Sequence, residues 1–154
     1  MKHYIFSTIL FLFVVSAHAE LQAPKESTCS FYLSLEKMIP CGPSGYAIDF
    51  GYPYCEKFLK SKFYRFSENG KKFLTRNAFC LQDVIYKDFS ANEQLSCNEV
   101  SHMAFTGHAD CFINSGFCEL SFSDKVILTN IIKNQIPLKI VRDQMREVLK
   151  RCSN

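Results

Sequence analysis

The chain has 154 residues, 47% of them hydrophobic, and carries a formal net charge of +3. That length suits one domain able to bury a core. So small a charge argues against nucleic acid, whose binding rests on neutralising phosphates.

Residues Met1–Ala19 read as a signal peptide. Lys2 supplies the positive charge, the apolar run spans residues 5–15, and Ala17-His18-Ala19 precedes Glu20. The run falls short of the roughly 20 residues of a bilayer span, and no later stretch is a better candidate. A secreted, extracellular product is expected. The mature chain keeps all eight cysteines, an even number that reads as four disulfides in an oxidising compartment. Eight cysteines allow 105 pairings, and spacing alone does not choose among them.

After a polar lead, Ser27 or Thr28 is placed to cap a helix from Cys29 to about Ile39, with Phe31, Leu35, Met38 and Ile39 near helical spacing. Pro40 ends it, and Cys41-Gly42-Pro43-Ser44-Gly45 is a turn. Tyr46 to Gly51 is ambiguous between loop and short strand. Pro53 opens a helix carrying Tyr54, Cys55, Phe58, Leu59, Phe63 and Phe66 on one face. Ser67-Glu68-Asn69-Gly70 is a turn. The next helix, from about Lys71 to Tyr86, has the stripe Phe73, Leu74, Asn77, Cys80, Leu81, Val84 and Ile85. So short a turn makes the two helices antiparallel neighbours.

Ser90 and Glu93 have capping-box spacing and introduce a helix from about Ala91 to Phe105, ended by Gly107. Ser123-Asp124 is expected to cap a further helix, and Pro137 breaks or restarts it. The last helix follows Leu138, Val141, Met145, Val148 with Leu149, and Cys152, with Arg142, Arg146, Lys150 and Arg151 facing solvent. Together these predict an all-α, disulfide-stapled bundle of about five to six helices in a single domain, residues 20–152, with 153–154 as its end.

The mature chain has two histidines, His102 and His108. With Cys97 and Cys111 they offer a conceivable zinc set, but the spacing is unfamiliar and an oxidising compartment favours bridging the thiols. No catalytic residues, cofactor or metal site are expected, and the chain reads as a non-enzyme. The aromatic stripe Phe58, Phe63, Phe66, Phe73 and Phe79 suits a core more readily than a lipid cavity. Lys57, Lys60, Lys62, Lys71 and Lys72 read as a solvated face rather than a site for an anionic surface.

The framework Cys55-x-x-Phe58-Leu59, Phe66-x-x-x-Gly70-Lys71-x-Phe73, then Cys80, Cys97, Cys111, Cys118 and Cys152, resembles the stanniocalcins, secreted disulfide-rich hormone-like glycoproteins. The short step from Cys111 to Cys118 is its most telling interval. The resemblance spans Cys29 to Cys152 and implies the pairing Cys29 with Cys55, Cys41 with Cys97, Cys80 with Cys111, and Cys118 with Cys152. It also implies a regulator of calcium and phosphate handling that acts on an extracellular protein partner or receptor. Three family features are missing: extra N-terminal cysteines, a glycosylation sequon near Cys29, and a lone C-terminal cysteine that links two chains. A covalent dimer is therefore not expected, and a non-covalent homodimer stays open. The alternative class is a saposin-like lipid- or membrane-binding helical module. A dry core favours the first class and an apolar cavity or exposed apolar patch the second.

Overall fold

The computed structural model describes residues 20–91 and 94–153. The signal-peptide reading of residues 1–19 lies outside them, as do Asn92, Glu93 and Asn154. The described residues contain six α-helices and no strand: α1 Ser30–Met38, α2 Tyr52–Glu56, α3 Glu68–Ala91, α4 Cys97–Asn114, α5 Phe122–Ile132 and α6 Lys139–Cys152. Wider π-helical turns, Tyr46–Gly51 and Lys57–Ser61, flank the short α2. The bridges are Cys29–Cys55, Cys41–Cys97, Cys80–Cys111 and Cys118–Cys152, the pairing that the resemblance implies.

The centre of the fold is the antiparallel pair α3 and α4, joined by Cys80–Cys111 from the middle of α3 to the last turn of α4. Gly107 lies inside α4 rather than at its end. A Cβ there would sit 2.9 Å from Val84 Cγ1, so glycine is needed for the two backbones to approach. The stop falls later. Gly116 takes φ +98°, its N–H donates to the Ile113 carbonyl, and the Phe117 N–H donates to the Phe112 carbonyl, the Schellman arrangement.

Three caps differ from expectation. The box that starts α4 is Ser96 with Glu99, five residues beyond the α3 end: Glu99 accepts from the Ser96 N–H at 2.7 Å, and the Glu99 N–H donates to Ser96 Oγ. Ser90 instead remains within α3, its hydroxyl donating to the Tyr86 carbonyl. Ser121, not Ser123, caps α5 by accepting from the Asp124 N–H at 3.0 Å. Neither Ser27 nor Thr28 caps α1; its first residue follows Cys29, whose bridge already fixes that end. The segment expected as loop or strand at 46–51 is the first π-helical turn.

Two apolar clusters form the core. Phe31, Leu35, Ile85, Phe89, Val100 and Ala104 make one; Phe66, Phe73, Leu74, Phe117, Leu128 and Val148 make the other. The α3 face is turned slightly from the expected stripe. Ala78, Gln82 and Phe89 are buried, whereas Cys80, Leu81 and Val84 are partly covered. Gln82 is completely enclosed and donates to the carbonyls of Thr28, 3.0 Å away, and Ala78, so it ties α3 to the approach to α1. On α6 only Val141 and Val148 are fully buried; Leu138 and Leu149 stay about half exposed.

Candidate functional site

The two core clusters do not close on each other. Between them lies a cavity of about 220 Å³, lined mostly by aromatic and aliphatic side chains. An engineered cavity of about 150 Å³ is enough to admit benzene.

One wall is an aromatic ladder with four-residue spacing: Tyr46, Phe50, Tyr54 and Phe58. Successive ring centroids lie 5.7, 4.8 and 6.4 Å apart. A plain α-helix, at 3.6 residues per turn, would rotate such a series steadily away from one direction. A π-turn, with its i to i+5 bonds, rotates it the other way. Alternating π-turn, α2 and π-turn therefore keeps all four rings on the cavity. The opposite wall comes from α5, through Leu128, Thr129 and Ile132, and from α6, through Val141, Met145 and Val148. Both sets follow the three-four step of a helix face.

Most polar groups on the lining are already engaged. Lys125 Nζ donates to the Cys118 carbonyl at 3.0 Å and lies 5.4 Å from the Phe117 ring centroid. Thr129 Oγ1 donates to the Lys125 carbonyl, and Gln144 Nε2 to the Phe105 carbonyl. Tyr32 and Tyr46 bond to each other. Burial pushes both phenols well above their ordinary range, far outweighing their mutual hydrogen bond at Tyr32. His108 is buried among Phe50, Phe105 and Phe112. Burial lowers its pKa to about 4, and a bond between Nδ1 and the Ala104 carbonyl only partly opposes this. The ring is neutral at pH 7. Because a carbonyl only accepts, Nδ1 carries the proton and Nε2 keeps a lone pair.

Asn77 is the exception. It lines the cavity from α3, is 7% exposed, and its Oδ1 finds no hydrogen-bond donor among the described residues. Such a buried, unpaired amide oxygen costs about 1–3 kcal/mol.

A second polar site has a different character. The Asp124 carboxylate, 1% exposed, accepts from the Ser67 N–H at 2.9 Å, Ser67 Oγ at 2.6 Å and Ser121 Oγ at 2.8 Å. It thus lies at the N-termini of both α3 and α5, where a negative charge is favoured. Burial would raise its pKa, but the three donated bonds more than reverse that. Gly70 leaves room for it: a Cβ there would be 2.8 Å from Asp124 Oδ1. This is a clamp between helices, invisible in the sequence beyond the Ser121–Asp124 spacing.

The zinc set is not assembled. Cys97 and Cys111 are in different bridges, His102 is exposed and His108 is enclosed in aromatics. Among the described residues no three His, Cys, Asp or Glu side chains converge on a metal position. In the aromatic stripe, Phe58 and Phe73 face the cavity, Phe66 is core, and Phe63 and Phe79 are partly covered. In the basic face, Lys57 lies over the Tyr54 ring, Lys60 pairs with Glu56 and Lys71 with Glu68.

Comparison with known family models, curated proteins and solved structures finds no match to this chain. Four intrachain disulfides are typical of extracellular proteins, and no helix of the described residues is long and apolar enough to cross a membrane.

Proposed function

We propose that this chain is a secreted, non-enzymatic regulator of the stanniocalcin type. It acts on calcium or phosphate handling by presenting a rigid, disulfide-held helical surface to an extracellular protein partner. The observation that supports this reading is the bridge pairing: of 105 pairings open to eight cysteines, the fold contains the one the resemblance implies. The test is binding of labelled, oxidised protein to transporting epithelial cells, with phosphate and calcium uptake measured alongside. Saturable binding displaced by unlabelled protein, with altered uptake, is expected. Non-saturable binding with unchanged uptake overturns the reading.

A second reading, a lipid-binding helical module, is favoured by one specific observation. The core is not completely filled by side chains but holds the aromatic-walled cavity. Displacement of a fluorescent apolar probe by small amphiphiles tests it; a probe that never enters the protein rejects it.

A further inference from the structure

We propose that the cavity and the basic cleft beside it form one binding site for a medium-chain fatty acid, with the tail against the Tyr46–Phe58 ladder and the carboxylate at Arg146 and Lys150. The inference rests on the lipid-binding reading and narrows it to a ligand class.

The mouth of the cavity decides the ligand class. Of the residues on the cavity lining, only Leu149 is exposed, at 56%. Leu149 and Met145 also line a shallow cleft on the outer side of α6, so the cavity reaches the surface there. Arg142, Arg146 and Lys150 border that cleft, each about one helical turn from the next, and no acidic residue does. Arg142 is fixed by donating to the carbonyls of Ile136 and Pro137, and Arg146 is shared with Asp143. Lys150 makes no ion pair among the described residues. A ligand's charge has to stay at this rim. Inside, an uncompensated carboxylate is costly, and Lys125 is already held by the Cys118 carbonyl and the Phe117 face. At about 220 Å³ the cavity exceeds the one of about 150 Å³ that admits benzene, and it falls below the roughly 300–1,000 Å³ of drug-sized pockets. That is room for one medium chain and not for the two long chains of a phospholipid.

The experiment uses the full oxidised mature protein at pH 7. Ligands displace N-phenyl-naphthylamine fluorescence, and each ligand is compared with itself across protein variants, so its own dehydration cancels. Arg146→Gln with Lys150→Gln should weaken decanoate about two- to twenty-fold and leave decanol unchanged. In about 1 M salt, where the screening length is about 3 Å, variant and wild type should bind decanoate alike. Lys72→Gln with Arg76→Gln removes the same charge from exposed positions of α3 and should change neither ligand. ω-Bromodecanoate carries a heavy atom at the end of its tail and should quench the emission of Tyr46 and Tyr54, where decanoate does not. The quenching needs no variant, so it stands even if one fails to fold. If decanoate and decanol respond alike to the Arg146 and Lys150 change, or the α3 control weakens decanoate equally, the carboxylate assignment is wrong while the lipid-binding reading survives. Unquenched emission with bound ω-bromodecanoate puts the tail outside the cavity and overturns the site. If vesicles of anionic phospholipid displace the probe and decanoate does not, the fatty-acid class is wrong and the lipid-binding reading survives. If nothing displaces the probe, or the probe does not bind, both the assignment and the reading behind it fall.

Discussion

Removing the Cys118–Cys152 bridge, by Cys118→Ala with Cys152→Ala, should loosen one wall of the cavity before it unfolds the rest. The paired cysteines are 34 residues apart, and the loop they close contains α5 and α6. On the chain-entropy account a loop of that length contributes about 3.8 kcal/mol. The Cys41–Cys97 loop, with a separation of 56, would contribute about 4.2 kcal/mol, so entropy alone does not set these bridges apart. Anchoring does. The only fully buried apolar side chain on α5 is Leu128, and α6 has only Val141 and Val148. At about 1.5–3 kcal/mol each before ordering costs, three such residues barely hold two helices against a domain stability of about 5–15 kcal/mol. The assay combines guanidinium unfolding followed by helical circular dichroism with limited trypsin digestion and mass spectrometry. The expected result is a loss of about 3–4 kcal/mol and early cleavage at Arg142 and Arg146. Cys41→Ala with Cys97→Ala should cost at least as much stability without favouring those two sites. Equal tryptic patterns in wild type and the Cys118/Cys152 variant, or a stability loss below about 1 kcal/mol, would refute the reasoning.

Other outcomes follow from the same structure. Between pH 6.5 and about 4 the unfolded chain binds a proton at His108 that the folded chain refuses, so stability is full above 6.5 and falls by about 3 kcal/mol across that window. Denaturation midpoints of His108→Phe should be flatter there, and parallel pH curves would contradict this. Asp124 acts lower: its depressed pKa adds stability that is complete above the ordinary 3.8 and is lost as pH falls further. Asp124→Ala, which leaves three donors unpartnered, should cost about 2–4 kcal/mol at pH 7 in the same melts. Gly107→Ala should destabilise by about 1–3 kcal/mol despite better helix propensity, and Val84→Ala in the same chain should recover most of it; additive losses would sink the close-approach argument. With all eight cysteines in intrachain bridges, a non-reducing denaturing gel should show monomer mass only.

How much of this could be read in advance depended on where the determining contact lay. Helices with a strong local stripe, such as 139–152 around Val141 and Val148, announce themselves because periodicity is a property of neighbours in sequence. Cap positions were legible in type but not in place. Ser90…Glu93 and Ser96…Glu99 have the same spacing, and only the run of α3 through Ala91 decides between them. Gly107 looked like a terminator because nothing local shows that Val84 is waiting on the neighbouring helix. Asp124 looked like part of a local Ser123-Asp124 cap because Ser67 is 57 residues away. The cavity is the extreme case. Asn77 among Phe73, Leu74 and Leu81 was visible as a polar residue on an apolar stripe, but whether facing helices fill the space beside it is set by three elements at once.

The π-turns around α2 give this wall an unusual kind of sensitivity. A π-turn contains, in effect, one residue more than the α-turn it replaces, and that surplus is what aligns Tyr46, Phe50, Tyr54 and Phe58. Loops usually forgive changes of length and cores resist changes of identity. Here the dependence is reversed at residues 57–61: exposed Lys57 and Lys60 can be exchanged freely, whereas deleting either would restore an ordinary helical turn. The geometry of the wall is thus encoded by counting, and drift in this lineage would be recorded there as substitutions without insertions or deletions.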